Sequence, residues 1–431
     1  MQELYGIVDI GTHQVRVLIG QPEGEGRVSV LGMGVAPAEG IDERGVANID
    51  RLAASIHKAL KSAQNQSGVI LKKVWVGLTH IDMRGETTQA IVTFRHADHE
   101  ISLEDLERLR QQAVSRTLPP DMELIHVVPQ MYHIDNRKGI REPLGMSGIR
   151  LEGQYYLLYA PQPYLNMLRR CLQRLELEIE GFVARPLITA ETLLPPEYKA
   201  QGAALIYLGG HTTAVVVYRG GMLQHFTILP LGGYWITSDI REALRSILLT
   251  QAEELKIHQG SALAERVPEE ELIRFQSHHH GEILEVRRRV LAEVIQARAE
   301  EIFLFVAKEI EKAGLLGQLY AGVYLAGGTA LLRDIDATAE YILGEKVYIV
   351  DVRRLLGRGL VESVSSPRMA GVVSLLATAP VLKEFLPPLP LDSASSRPTT
   401  AKSKSPERGR FLQKIRSLLE NSLKLPQELI D

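Results

Sequence analysis

Apolar positions at the start of the chain come in short runs, not in long helical stripes. Tyr5–Ile10 and residues 15–19 read as strands flanking a Gly-Thr turn, with a third strand over 28–35. Asp50 stands where a helix N-cap is expected, ahead of a helical period to about Gln64. Lys73–Leu78 then returns to a strand pattern. The order β-β-β-α-β is the opening of a ribonuclease-H-like half-domain. From 84 to 161 the rhythm changes. A helix with an acidic first turn spans 102–115, a strand spans 123–134, and the glycine-rich stretch 139–153 leads into an aromatic strand at 155–159. This predicts a small inserted α+β unit.

A second opening follows. Residues 203–207, the turn Leu208-Gly209-Gly210-His211-Thr212-Thr213 and residues 215–218 repeat the strand–turn–strand signature of the N-terminus. Such a duplication implies two similar half-domains facing one cleft. Helical patterns over 238–249, 252–258 and 283–313 precede a strand at 322–325 and the turn Ala326-Gly327-Gly328-Thr329. The expected layout is a first lobe over 1–83, the inserted unit over 84–161, and a second lobe with the return to the first over 162–386. Residues 387–410, rich in Pro, Ser, Thr and Lys, read as a disordered linker, and 411–424 as a lone helix.

Composition narrows the class. With 45% hydrophobic and 23% charged residues in 431, the chain has the profile of a globular protein of two or three domains. A net charge of −3 gives no overall attraction to nucleic acid, so none is expected as a partner. Cys171 is the only cysteine, which excludes an internal disulfide and suits a reducing compartment; its helical setting at 164–175 predicts a buried packing thiol. No basic-then-apolar start suggests a signal peptide, and no apolar run approaches the ~20 residues of a spanning helix, so any membrane contact is expected from the surface.

The glycine turns carry the candidate chemistry. Asp9-Ile10-Gly11-Thr12 ends a strand in a carboxylate and a tight turn, which can aim amides and a hydroxyl at phosphate while Asp9 holds water around magnesium. Together with the second turn and with Gly327-Gly328-Thr329, it points to the actin and hexokinase superfamily; three unrelated glycine turns are the alternative. The second turn departs from the superfamily pattern Asp-x-Gly-Gly-Gly-Thr-x-Asp. Tyr207 and Ala214 replace its carboxylates, and His211 replaces a glycine where backbone meets phosphate. Hydrolysis needs placed metal and water, so a fast ATPase is not expected.

The phrase His126-Val127-Val128-Pro129-Gln130, with Tyr132, Asp135, Gly139-Ile140, Pro143, Gly145 and Gly148-Ile149-Arg150, closely resembles the FtsA family. So do Gly45–Asp50, Leu231–Ile240, Ala252-Glu253-Glu254-Leu255-Lys256 and Leu291–Arg298, and the likeness runs from about residue 4 to 380 plus the terminal helix. The resemblance implies an α/β, actin-like, duplicated two-lobed fold with one subdomain relocated as the inserted unit. It implies ATP and magnesium in the cleft, with Glu253 and Lys256 near ribose and adenine. The nucleotide contacts expected are Asp9, Gly11, Thr12, Gly209, Gly210, Thr212, Gly232, Gly233, Glu253, Lys256, Gly327 and Gly328, with Asp9 at the metal. It also implies self-association into protofilaments and binding of the FtsZ C-terminal tail at the cytoplasmic face of the division site. The changes at Tyr207, His211 and Ala214 weigh against the ATP part and leave the scaffold part standing.

At ~100° per residue, Phe411, Leu412, Ile415, Leu418, Leu419, Ser422 and Leu423 share an arc of about 140° on the terminal helix, against a polar face with a basic excess. Behind a linker, such a stripe predicts binding to an anionic membrane surface, with docking onto a partner or the body as the alternative. Polymerisation would multiply weak single attachments. On the helical stretch 283–313, Arg288 and Arg298 are candidates for an acidic partner peptide, against a solvated face paired with Glu285, Glu293 and Glu301. His278-His279-His280 reads as loop, because consecutive histidines on a regular element cannot share one ion. The expected function is a membrane-tethered actin-like adaptor of cell division. A pilus-assembly actin homologue and a sugar-kinase-like phosphotransferase share the superfold and stay open.

Overall fold

The computed structural model describes residues 3–388 except 25, 43, 116–118, 246 and 278–282. The linker from 389, the terminal helix with Phe411, Leu412, Ile415, Leu418, Leu419 and Leu423, and the three histidines lie outside the described residues.

The first lobe opens as an antiparallel meander of β1 (Tyr5–Ile10), β2 (Gln14–Gly24) and β3 (Arg27–Pro37). Helix α1 (Ile49–Ser67) then crosses to β4 (Lys73–Leu78), which pairs parallel with β1. Small residues set how closely α1 lies on β3. A Cβ on Gly34 would stand 1.8 Å from the carbonyl oxygen of Ala59, and one on Gly32 2.2 Å from that of Ala63. Helix and strand thus meet backbone to backbone. The cap of α1 is Asn48, whose side chain accepts from the Arg51 amide; Asp50, expected there, instead places its charge in the first turn.

The inserted unit is a four-stranded antiparallel sheet of β5 (Arg84–Thr93), β6 (Met122–Ile134), β7 (Arg137–Ile140) and β8 (Arg150–Pro161), in the order β5-β8-β6-β7. Helix α2 (Leu103–Val114) packs on it, closed at its start by a Ser102–Asp105 capping box. His126 of β6 ties the unit to the body. Fully buried, it accepts from the Ala184 amide at 2.8 Å through Nε2 and donates to the Phe385 carbonyl at 3.2 Å through Nδ1. Burial lowers its pKa to about 4, with the Phe385 carbonyl opposing.

Helix α3 (Gln162–Gln173) carries Cys171, a buried thiol pushed up to about 11 by burial. Strand β9 (Glu178–Ala184) completes a first sheet ordered β9-β4-β1-β2-β3-β17, whose last member is Leu356–Gly359. Helix α4 (Arg185–Leu193) leads to the second lobe: β10 (Ala203–Leu208), β11 (Thr213–Arg219), β12 (Met222–Leu229), α5 (Gly233–Leu244) and α6 (Leu249–Gln259). A hairpin of β13 (Leu272–Gln276) and β14 (Ile283–Arg287) precedes α7 (Arg288–Lys312). Two expectations are corrected here. Residues 283–287 alternate as a strand before the long helix begins, and α5 starts at Gly233, five residues ahead of the expected start, because Gly232 acts as its N-cap.

Next come β15 (Val323–Ala326), α8 (Ile335–Leu343) and β16 (Val347–Ile349), giving the sheet order β12-β11-β10-β15-β16. Set beside β3-β2-β1-β4-β9, this is the same arrangement: a three-stranded antiparallel meander continued by two parallel strands. Helix α9 (Ala370–Thr378), almost wholly buried, returns to pack on α4, β1 and β2. One apolar core fills the first lobe and continues onto one face of the second sheet, another covers that sheet's opposite face, and a third lies within the inserted sheet.

Candidate functional site: the cleft between two matching turns

The duplication extends to individual hydrogen bonds. The Gly11 amide donates to the Gln14 carbonyl at 3.1 Å, and the Gly209 amide donates to the Thr212 carbonyl at 2.9 Å, so the β1–β2 and β10–β11 turns close alike. They face each other across the lobes, the His211 amide donating to Thr12 Oγ1 at 3.3 Å. Around them opens a cleft of about 620 Å³. Gly11, Thr12, Gly209, Gly210, Thr212 and Gly233 line it, and so do Glu253, Lys256 and Gly328.

Gly232 and Gly327 sit just behind the wall, where each is needed for close packing. A Cβ on Gly232 would stand 2.5 Å from the Gly210 carbonyl oxygen. Gly327, at φ +97°, would bring one to 2.3 Å from that of Leu208. The first amides of α5 are already engaged: Gly233 donates to Gly209 at 3.0 Å and Tyr234 to Gly210 at 2.8 Å. Thr329 Oγ1 adds a bond to the Gly209 carbonyl at 3.0 Å. These glycines build the second turn: the Gly209 and Gly233 amides are held within it, while Gly209, Gly210, Gly233 and Gly328 line the cleft.

Lys256 is spoken for as well. Its Nζ donates to the Gly233 carbonyl at 2.9 Å, Thr237 Oγ1 at 2.8 Å and Glu253 Oε2 at 2.6 Å. Burial opposes the charge on both partners. It lowers the lysine pKa on balance, while on Glu253 the Lys256 ammonium outweighs it and holds the carboxyl below its usual range.

At Asp9 the expectation of a metal ligand meets a different arrangement. The carboxylate is 1% exposed and does not line the cleft. Arg185 Nη1 holds Oδ1 at 2.7 Å, and Arg16 Nη1 lies 3.5 Å from Oδ2. Arg185 also donates to Thr79 Oγ1 at 3.0 Å and lies 4.9 Å from the centroid of the Tyr207 ring. Burial opposes its charge, and Asp9, followed by Tyr207, more than offsets that, so its pKa is raised. Gly371 leaves room for this stack, since a Cβ there would meet Arg185 Cδ at 2.5 Å. Across the cleft, His211 stacks on Tyr234 with ring centroids 4.3 Å apart.

These residues do not fit a hydrated magnesium ion. The one carboxylate at the first turn is held by Arg185, with Arg16 close to its other oxygen. Tyr207 and Ala214 offer no second carboxylate, and no group of three or more His, Cys, Asp or Glu suited to a metal comes together among the described residues. Sequence reasoning missed Arg16, Arg185, His13 and Arg368, all of which line the cleft. An arginine two residues before a helical run carries no local signal of this role.

Of the two partner candidates on α7, Arg288 is buried and Arg298 is part-exposed. Arg288, 7% exposed, donates to the Gln259 carbonyl at 2.7 Å and lies 2.9 Å from both oxygens of Glu271. That burial corrects the expectation of a partner-facing side chain. Arg298 binds Asp239 through two nitrogens, at 2.6 and 3.0 Å, and also pairs with Glu301.

The paired sheets, the facing turns and the inserted α+β sheet define an actin-like two-lobed protein. Solved structures agree on the fold. The PilM–PilN type IV pilus biogenesis complex matches with a TM-score of 0.63 at 16% identity, over 88% of this chain and 99% of that one. MreB5 of Spiroplasma citri bound to ADP matches with 0.54 at 13%, over 89% and 98%. A family model described as the SHS2 domain inserted in FtsA matches residues 81–159, and one described as cell division protein FtsA matches 204–374. The chain is 33% identical over 375 residues to cell division protein FtsA of Pseudomonas aeruginosa, spanning 86% of this chain and 87% of that protein. It is 31% identical over 391 residues to the FtsA of Neisseria meningitidis serogroup B, spanning 90% and 92%. The chain belongs to the FtsA family of cell division proteins.

Proposed function

We propose that this protein is a division adaptor that binds the C-terminal tail of FtsZ, assembles with copies of itself, and holds FtsZ filaments at the cytoplasmic face of the membrane through its terminal amphipathic helix. Family membership over most of the chain is the observation that carries this reading. The pattern of Phe411, Leu412, Ile415, Leu418, Leu419 and Leu423 supports the attachment step. Among the described residues no helix is long and apolar enough to cross a membrane. The cleft takes a nucleotide and works as a structural joint between lobes, with at most weak hydrolysis; Tyr207, Ala214 and the Arg185-bound Asp9 support this. A pilus-assembly role shares the fold, and the higher identity to division proteins favours the division reading.

The test is sedimentation of purified FtsZ filaments with anionic liposomes, adding the full-length chain or a version ending at Ser405. Filaments pelleting only with the full-length chain is the expected result. Failure of both versions to bring filaments down would refute the tether.

A further inference from the structure

The two turns close alike, and Arg16, Arg185, Lys256 and Arg368 line the cleft between them. Asp9, where metal-bound water would be oriented, is 1% exposed and clasped by Arg185 and Arg16. To serve a metal it would have to abandon Arg185 inside the protein, and Arg185, itself 5% exposed, has no other carboxylate among its hydrogen-bond partners. Both arginines line the cleft, and each has a buried Nε–H with no acceptor among the described residues. A buried cationic donor with spare capacity favours an anion. Arg368 lines the same cleft, is exposed, and has no ion pair among the described residues. Among the described residues, the carboxylates in the wall are Glu253, tied to Lys256, and its neighbour Glu254. His13 reports the same field. Burial, and then Lys256, Arg16 and Arg368, hold its pKa below the ordinary range against the opposing pull of Glu253.

We propose that the cleft takes the phosphate chain of a nucleoside di- or triphosphate as the metal-free anion, with Arg16, Arg185 and Arg368 supplying the countercharge that a divalent cation supplies elsewhere. This rests on the reading that the cleft binds nucleotide and specifies its ionic form. A magnesium ion on the phosphates would bring like charge beside Arg16 and Arg185 and reduce the attraction of the anion for the site.

Calorimetric titration of the full chain with ATP and with ADP, in EDTA and again in excess magnesium, tests it. Binding in EDTA is expected, weakened about tenfold by magnesium. Arg368→Gln is expected to weaken metal-free binding by about tenfold with an unchanged Tm. Because loss of Arg185 alone strands Asp9, its part is read in the double variant Asp9→Asn/Arg185→Gln, which should fold and lose affinity in EDTA. Binding that requires magnesium overturns this inference and leaves the nucleotide reading intact. Absence of binding in both buffers overturns both.

Discussion

The β1–β2 and β10–β11 turns close with the same amide-to-carbonyl bond, yet their side chains have parted company. At the first, a carboxylate persists but is buried under two arginines. At the second, the carboxylate position is the aromatic face of Tyr207, against which the same Arg185 guanidinium rests. What the fold needs, the hairpin closure and the glycines that let strands and helix approach, is retained in both halves. What metal chemistry would need has been exchanged for an Asp–Arg–Tyr stack joining them. The halves also differ in how helices cover them. Helix α1 touches β3 backbone to backbone at Gly32 and Gly34, whereas α7 meets β11 and β12 through side chains, among them a His225–Glu309 pair at 3.0 Å.

The largest effect is expected at the Asp9–Arg185 ion pair, which lies against Tyr207. Arg185→Met should cost about 3 kcal/mol in a denaturant melt, because it leaves a buried carboxylate short of its main partner, and Asp9→Asn added to it should restore most of the loss. A single-variant cost below about 1 kcal/mol would show that Arg16 alone suffices and that the stack does not join the halves.

His126 gives an effect of similar size in the pH dependence. Its pKa is about 4 in the fold against an ordinary ~6.5, so the unfolded chain takes up the proton first. The stability that rests on the neutral ring is complete above pH 6.5 and is lost as pH falls toward 4, by roughly 3 kcal/mol. His126→Gln, which can still accept from Ala184 and donate to Phe385, should flatten that slope. An unchanged slope would mean other groups set it.

Smaller and more local is the contrast in helix cover. Gly34→Ala should cost about 1–3 kcal/mol, since the new methyl meets the Ala59 carbonyl and nothing flexible can yield. His225→Ala, which removes a partly exposed pair, should cost less than about 1 kcal/mol. Equal costs would erase the difference between the lobes. Thermal melts of both variants measure it.

Strands such as Tyr5–Ile10 and Lys73–Leu78 were legible because buried strands write their pattern locally, in a handful of consecutive apolar residues. The duplication was legible for the same reason, as two strand–turn–strand phrases. Boundaries were less so: residues 283–287 share an apolar rhythm with the helix behind them, and only pairing with 272–276 makes them a strand. The chemistry of the cleft was least legible. Asp9 and Arg185 are 176 positions apart, and whether a carboxylate faces metal or guanidinium is decided by the return of α4 under the first turn. The departure at Tyr207 was visible in the sequence; what fills the space it vacates was not.

The most direct measurement places tethering and turnover in one tube: full-length protein, FtsZ filaments, anionic liposomes and magnesium ATP, with pelleting and phosphate release followed together. Filaments are expected in the pellet while phosphate release stays far below the ~1–1,000 s⁻¹ of ordinary enzymes. Release that climbs into that range as filaments attach would contradict this, by showing an engine where the residues describe a joint.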